Sequence, residues 1–372
     1  MGGGRMSMKR IAIGQAGGPT AVINTSLAGF IENLPGNTEL YTVENGYEGL
    51  AESKIQKADR KRIQKILDAK YDSGACLGSG RYEFTEDKMV QAVKNLKAYG
   101  VDSLAFIGGN GTMAALEKME EIARAEGMDL QVIGIPKTVD NDLGMTDHAP
   151  GFASAARHVA YSVRDIGRDL ESMRNFEKVR ILETMGRNAG WLAAAAGALM
   201  EEEKCIICLP EQKISLKSMA DEVRERLKSQ ETLVVVVSEG VEWDGANPIS
   251  QAIIGGRVVL GGAATYLQET LRAKLGMFVR SENLGISQRA LSLSVSETDR
   301  QEAYLVGAKA AKLLEENISR KMVCIERESN IRYNVHIGSC DLQKVKDAGE
   351  RTMPLEFIRD RRKFYEWLKP LI

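Results

Sequence analysis

The chain carries no surplus of charge of either sign: 50 Lys and Arg stand against 51 Asp and Glu, a net charge of -1. So balanced a surface sets up no global field for nucleic acid or an anionic membrane, neither of which is expected as a partner, and any anionic ligand must be held by local geometry. Cysteine is scarce, five residues in 372 and odd in number, with no secretory leader ahead of the first patterned segment. A reduced, cytoplasmic setting is expected rather than a disulfide framework. Cys205 and Cys208 share a CxxC spacing, yet the run CIICLP around them contains nothing polar and reads as a buried strand. Long apolar runs are missing too: none approaches the roughly 20 residues that span a bilayer, and the Ala-rich stretch from Leu192 to Met200 reads as a buried helix. The three histidines, His148, His158 and His336, match no metal-ligand spacing and are expected to be structural or surface residues. No repeat, low-complexity linker or GxxxxGK(S/T) phosphate loop is present.

What remains is an ordinary globular composition, 44% hydrophobic and 27% charged, with 36 glycines for tight strand-to-helix turns. The length exceeds that at which one core stops growing, so two lobes are expected. The opening MGGGRMSM has neither an apolar core nor a structural pattern, and residues 1–8 are expected to be disordered, a cloning remnant or a misplaced start. Thereafter short β-rich runs, RIAIG, ELYTV, SLAFIGG, QVIGIP, KVRILE, KCIICLP and TLVVVVSEG, alternate with amphipathic stretches. That alternation predicts an α/β fold with mainly parallel sheets. A long helix is expected over 151–174, with a lobe boundary near Pro150 and a later return of the chain near 288–318.

Three glycine-rich turns are read as following strands: Gly17-Gly18-Pro19-Thr20, Gly78-Ser79-Gly80-Arg81 and Gly108-Gly109-Asn110-Gly111-Thr112. Such turns leave backbone N–H groups free to surround phosphate oxygens, and a helix beginning behind them adds its positive end. The fourth strand end, Pro136-Lys137-Thr138-Val139-Asp140-Asn141-Asp142, places a Lys, a Thr and two carboxylates after an apolar run. In an extended segment Thr138, Asp140 and Asp142 share one face and Asn141 the other. One carboxylate could then take a hydroxyl proton while a neighbour holds Mg2+ against phosphate oxygens. An Asx-type turn with solvated acids is the alternative.

These segments, together with GGPTAVIN, GYEGL, DHAPGF, MGRNAG, SEG and the pair Gln288-Arg289, closely resemble the phosphofructokinase family, in the family's order. The resemblance implies two Rossmann-like lobes with the active site in the cleft between them. Residues 9–150 with about 288–318 would bind the phosphoryl donor, and 151–287 with about 319–372 the sugar phosphate. It implies Mg2+ and the conversion of fructose 6-phosphate to fructose 1,6-bisphosphate, with Asp140 as base flanked by Thr138 and Asp142. Lys137 and Arg187 would assist the transfer; Gly17, Gly18, Arg81, Gly109, Asn110, Gly111 and Thr112 would hold the donor. Met185, Gly186 and Glu239 would contact the sugar, and Arg280 with Arg289 would grip its 6-phosphate. A homodimer or homotetramer is implied, because a 6-phosphate contact crosses a subunit interface in the family.

The donor signals are mixed. Family members that use ATP carry Gly at the positions of Lys137 and Gly111, whereas pyrophosphate users carry Lys and Asp. Pro19 stands where ATP users have Asp, so the resemblance leans to pyrophosphate, with ATP the alternative. Asn110 replaces an Asp associated with Mg2+, leaving Asp140 or Asp142 to bind it. Lys178 stands where Arg is usual, and Ile286 where His or Tyr reaches the 6-phosphate. Weak binding of fructose 6-phosphate, or a different sugar, is therefore expected.

Overall fold

The computed structural model describes residues 8–254 and 257–372. All but Met8 of MGGGRMSM thus lies outside the described residues. Numbered in chain order, the strands are β1 (Lys9–Gln15), β2 (Thr38–Val43), β3 (Ile55–Lys57), β4 (Ser103–Gly108), β5 (Gln131–Pro136), β6 (Val179–Thr184), β7 (Cys205–Cys208), β8 (Leu233–Ser238), β9 (Ser250–Ile254), β10 (Arg257–Leu260), β11 (Val279–Asn283), β12 (Lys321–Ser329) and β13 (Asn334–Asp341). Two compact units contain them. One holds the chain through Thr138, then Asp142–Gly151 and Glu297–Glu350; the other holds Val139–Asn141, Phe152–Ser296 and Arg351–Ile372.

The first unit is built on a seven-stranded sheet in the order β13-β12-β5-β4-β1-β2-β3. Its interior pairs are parallel, and β3 and β13 close the edges antiparallel. The strands are apolar on both faces because both are covered: in β4, Leu104 and Phe106 enter one core while Ala105 and Ile107 enter the other. From β1 the chain builds β2 and β3 on one side and β4 and β5 on the other. The carboxyl ends of β1 and β4 therefore flank a topological switch point, where open α/β sheets bind ligands.

The second unit is built on an all-parallel sheet in the order β11-β6-β8-β7, with β9 and β10 as a separate antiparallel pair. Val179, Ile181, Val235 and Val237 pack there against Leu267 and Leu271 of helix Ala263–Leu275. Cys205 and Cys208 are buried free thiols, and burial pushes Cys205 up to about 12 and Cys208 higher. They are core residues, as their apolar run predicts.

The long helix runs Phe152–Ser172, inside its expected span. The return of the chain runs from Glu297 to Glu350 rather than over 288–318, because β12 adds to β5 and β13 to β12. The last residues rejoin the second unit because Trp367 and Phe364 pack on Trp191, at 5.4 Å and 6.1 Å between ring centroids. Residues 78–81 follow no strand; they sit in a loop after helix Arg60–Asp68. The extended face expected for Thr138, Asp140 and Asp142 is not formed. Asn141 takes a left-handed φ of 52°, bending the segment, and is itself buried. Among the described residues no helix is long and apolar enough to cross a membrane.

Candidate active site

In the first unit the ends of β1, β4 and β5 converge. Lys137 follows β5 and is 4% exposed. Its N–H donates to Gly108 O at 2.9 Å, and its ammonium to Gly18 O at 2.8 Å. Gly17, at φ 77°, leaves the space beside that ammonium open: a Cβ there would lie 3.3 Å from Lys137 Nζ. Ser79 Oγ donates to Gly17 O at 2.5 Å, which brings the 78–81 loop to the same turn although no strand delivers it. Arg81, two residues on, is exposed and has no hydrogen-bond or ion-pair partner among the described residues.

Helix Asn110–Ala125 begins directly behind β4, with Gly109 as its cap residue. The Thr112 N–H donates to Gly109 O at 2.9 Å, which leaves the N–H groups of Asn110 and Gly111 to form, with Lys137, a positive surface suited to phosphate oxygens. Thr112 is fixed by Tyr47, whose hydroxyl donates to Thr112 Oγ1 at 2.7 Å and whose ring stacks on Phe84 and Phe106. Gly111 is the second residue of that helix. Its φ is not positive, and a Cβ there would meet nothing within 4 Å. Neither strain nor crowding within the chain calls for glycine at that position.

Asn110 Nδ2 donates to Asp142 O at 3.0 Å and to Asp142 Oδ2 at 3.1 Å. Burial pushes the Asp142 carboxyl above its ordinary range; the Thr138 hydroxyl, its own backbone and Asn110 pull it down, and Glu350 raises it. Asp142 Oδ1 is buried and meets no hydrogen-bond donor among the described residues. A carboxylate short of counter-charge suits a hard divalent cation. Among the described residues no group of three or more His, Cys, Asp or Glu is arranged for a metal. A cation here would take one or two carboxylates and complete its shell from phosphate oxygens and water, which is the habit of Mg2+. Asp140 is half-buried and lies in Val139–Asn141, the three residues that group with the second unit.

In the second unit the turns after β6 and β8 interlock. Ser238 Oγ donates to Gly186 O at 2.5 Å, Glu239 N–H to Thr184 O at 2.9 Å, and Gly240 N–H to Gly186 O at 3.2 Å. A Cβ on Gly240 would fall 1.7 Å from Arg187 O, and one on Gly186, at φ 133°, would lie 2.6 Å from Ser238 Oγ. Only glycine permits this approach. Arg187 is exposed, its guanidinium donating to Val258 O at 2.6 Å.

Gln288, buried on helix Ser287–Ala290, accepts from Met185 N–H at 2.9 Å and so sets Arg289 beside the Met185–Arg187 turn. Glu183 was not foreseen. Its buried carboxylate accepts from Gly262 N–H, Ala264 N–H and Asn283 Nδ2, joining the end of β6 to the start of helix Ala263–Leu275 and the end of β11. A lone Glu inside KVRILE was the available signal.

Lys178 and Arg280 lie elsewhere. Arg280 pairs in register with Arg180, near the amino end of the sheet, and Lys178 precedes β6. Five residues of strand, at about 3.3 Å each, separate that end from Met185. Both side chains are exposed, Arg280 Nε lying 3.8 Å from Glu177, which Arg180 grips in turn. Within one chain, Arg289 and Arg280 are not brought together. Ile286 is at the carboxyl end and is 57% exposed.

Comparison with known proteins accords with this geometry. Residues 10–314 match the phosphofructokinase family. The chain is 44% identical over 365 residues to a sulfofructose kinase of Alkalicoccus urumqiensis, covering 98% of this chain and 95% of that protein. It is 33% identical over 368 residues to a pyrophosphate–fructose 6-phosphate 1-phosphotransferase of Xanthomonas campestris pv. campestris, covering 95% and 88%. The crystal structure of a pyrophosphate-dependent phosphofructokinase from Nitrosospira multiformis superimposes with a TM-score of 0.87 at 30% identity, covering 98% of this chain and 92% of that one. The chain belongs to the phosphofructokinase family. It is a phosphotransferase that acts on a sugar hydroxyl.

Proposed function

We propose that this chain transfers a phosphoryl group from ATP to a sulfofructose, with Asp140 as the base that takes the acceptor's hydroxyl proton. The observation that carries the acceptor is the 44% identity to a sulfofructose kinase along nearly the whole of both chains. The site chemistry supports it. A sulfonate bears one negative charge where a phosphate ester bears nearly two, so it needs fewer donors. This chain has Ile286 in place of a polar side chain, and Lys178 in place of a forked guanidinium. Lys178 and Arg280, remote from Met185 along their own sheet, would serve the site of a second copy, which makes a homo-oligomer part of the proposal.

The donor reading rests on Gly111. Glycine costs a helix about 1 kcal/mol relative to Ala, and nothing within 4 Å of its Cβ position requires one. The cleared space is read as room for the inner phosphate of a nucleotide. Transfer runs in line through a loose transition state in which Lys137 and the first N–H groups of helix Asn110–Ala125 offset charge spreading over the phosphoryl oxygens. Mg2+, when bound, would supply further positive charge there, with Asp142 its fitting carboxylate and Asp140 its neighbour. Arg187, Met185, Gly186 and Glu239 would position the sugar, and Arg289 its acid group.

A second reading, pyrophosphate with fructose 6-phosphate, is favoured by the buried ammonium of Lys137 at the Gly17-Gly18 turn and by the 33% relative. A panel of sulfofructose, fructose 6-phosphate and fructose against ATP and pyrophosphate separates the two. The expected result is a kcat/KM for sulfofructose with ATP at least about tenfold above every other pair, a difference of about 1.4 kcal/mol in barrier. Equal or better use of fructose 6-phosphate overturns the acceptor, and equal or better use of pyrophosphate overturns the donor. Asp140→Asn should abolish turnover while acceptor binding persists.

A further inference from the structure

His148 is wholly buried, and both ring nitrogens face carboxylates: Nδ1 lies 2.8 Å from Asp147 Oδ2 and Nε2 2.6 Å from Glu302 Oε2. Only the doubly protonated ring can donate to both. Each carboxylate has a second partner, Asp147 through the same Oδ2 and Glu302 through its other oxygen. Arg327 donates to Asp147 at 3.0 Å through Nε and lies 2.9 Å away through Nη2, and the Tyr333 hydroxyl donates to Glu302 Oε1. Two buried cations thus face two acids, a balance that a bare buried charge lacks.

This cluster sits in the middle of Asp142–Gly151, the segment of the first unit that begins at Asp142 and ends against Thr138. On one side it is stitched to β12: Asp147 N–H donates to Ile325 O at 2.8 Å, and Ile325 N–H to Thr146 Oγ1 at 3.0 Å. On the other it is stitched to helix Glu297–Glu315 through Glu302 and through Asp299, which accepts from Gly151 N–H at 2.8 Å. Thr138 closes the segment, donating its N–H to Pro150 O at 3.2 Å and forming a parallel bridge with Gly151.

We propose that His148 is a positioning residue for phosphoryl transfer, a cationic strut that clamps Asp142–Gly151 between helix Glu297–Glu315 and β12 and thereby sets Thr138 and Asp142. This rests on the reading of Thr138 and Asp142 as site residues. The lift of the imidazole pKa to about 9, where Asp147 and Glu302 outweigh a burial that opposes the charge, agrees with a ring charged throughout the neutral range.

The test compares wild type with His148→Gln and His148→Gly at a temperature where circular dichroism shows each folded. Loss of the strut should lower kcat by about 10- to 100-fold, the scale of ångström-level misplacement. It should also raise half-saturation by Mg2+ about threefold or more and leave the acceptor KM within about twofold. Added imidazole should restore part of kcat to His148→Gly and leave wild type unchanged. A fall in melting temperature with wild-type kcat and Mg2+ dependence would sink the proposal, since a purely structural histidine would give that.

Should His148→Gly fail to fold, Glu302→Gln provides the same comparison, keeping an acceptor without its charge. Hydrogen exchange supplies a readout independent of turnover: protection over 138–151 should drop about tenfold or more in His148→Gln while residues 38–57 keep theirs. Unchanged exchange over 138–151 refutes the strut. If wild type phosphorylates no sugar with either donor, the functional reading fails, and the exchange experiment still decides the strut.

Discussion

Replacing Gly111 by Asp tests whether the empty space at the start of helix Asn110–Ala125 is kept for a nucleotide. Its effect on the fold should be negligible, because a Cβ at Gly111 meets nothing within 4 Å and the backbone there is not in the left-handed region. A carboxylate in the first turn even gains about 0.3–1 kcal/mol from the helix dipole. Its effect on ATP should be large. A second negative charge about 4 Å from a nucleotide phosphate costs about 4 kcal/mol at an effective dielectric near 20, or roughly 10³-fold in kcat/KM. Pyrophosphate, which has no inner nucleotide phosphate, should lose far less. The assay is kcat/KM with each donor at saturating acceptor, alongside a thermal melt. A loss for ATP below about threefold, or equal losses for both donors with the melt unchanged, would show that the reasoning about Gly111 is wrong.

Stability should fall as pH rises through the His148 pKa. The folded value of about 9 exceeds the ordinary 6.5, so the protonated ring stabilises fully below about pH 6.5, and that contribution is lost as pH passes 9. The span is about 3 kcal/mol; urea unfolding at pH 7 and pH 10 measures it, and His148→Gln should lack it. Asp142→Asn should raise half-saturation by Mg2+ about tenfold without lowering the melting temperature, because burial already disfavours the charged carboxyl; a lower melting temperature contradicts the assignment. Ile286→His should raise kcat/KM for fructose 6-phosphate by up to about tenfold relative to sulfofructose and leave stability within about 0.5 kcal/mol. An unchanged ratio would remove Ile286 from acceptor selection.

The parallel strands were legible because runs such as SLAFIGG and LVVVVS are apolar on both faces and too short for helices. β11 and β12 were not, because VRSEN and KMVCIERES mix charge into strands whose outer residues meet solvent. Lys137, Asp142 and the glycine turns after β1 and β4 could be found at strand ends from their residue types alone, whereas the turn at 78–81 follows a helix and not a strand. Their geometry could not: the left-handed Asn141 breaks the alternation that an extended reading assumes. His148, a lone histidine without ligand spacing, reads as bland until Glu302, 154 residues away, is seen against it. Contacts at such separations depend on topology and leave no local pattern.

Lys178 and Ile286, the two departures that the proposed function assigns to recognition of the acceptor's acid group, both project from the surface rather than into the core that Val179, Ile181 and Val235 share. Surface replacements of this kind usually change stability by no more than about 0.5 kcal/mol. A lineage could therefore exchange one acid group for another by point changes that selection on folding hardly sees. The interlocked Gly186 and Gly240 turns would meanwhile hold the sugar-facing backbone fixed. On the proposed function, acceptor choice in this scaffold would be evolutionarily cheap, and the placement of the reacting hydroxyl would not.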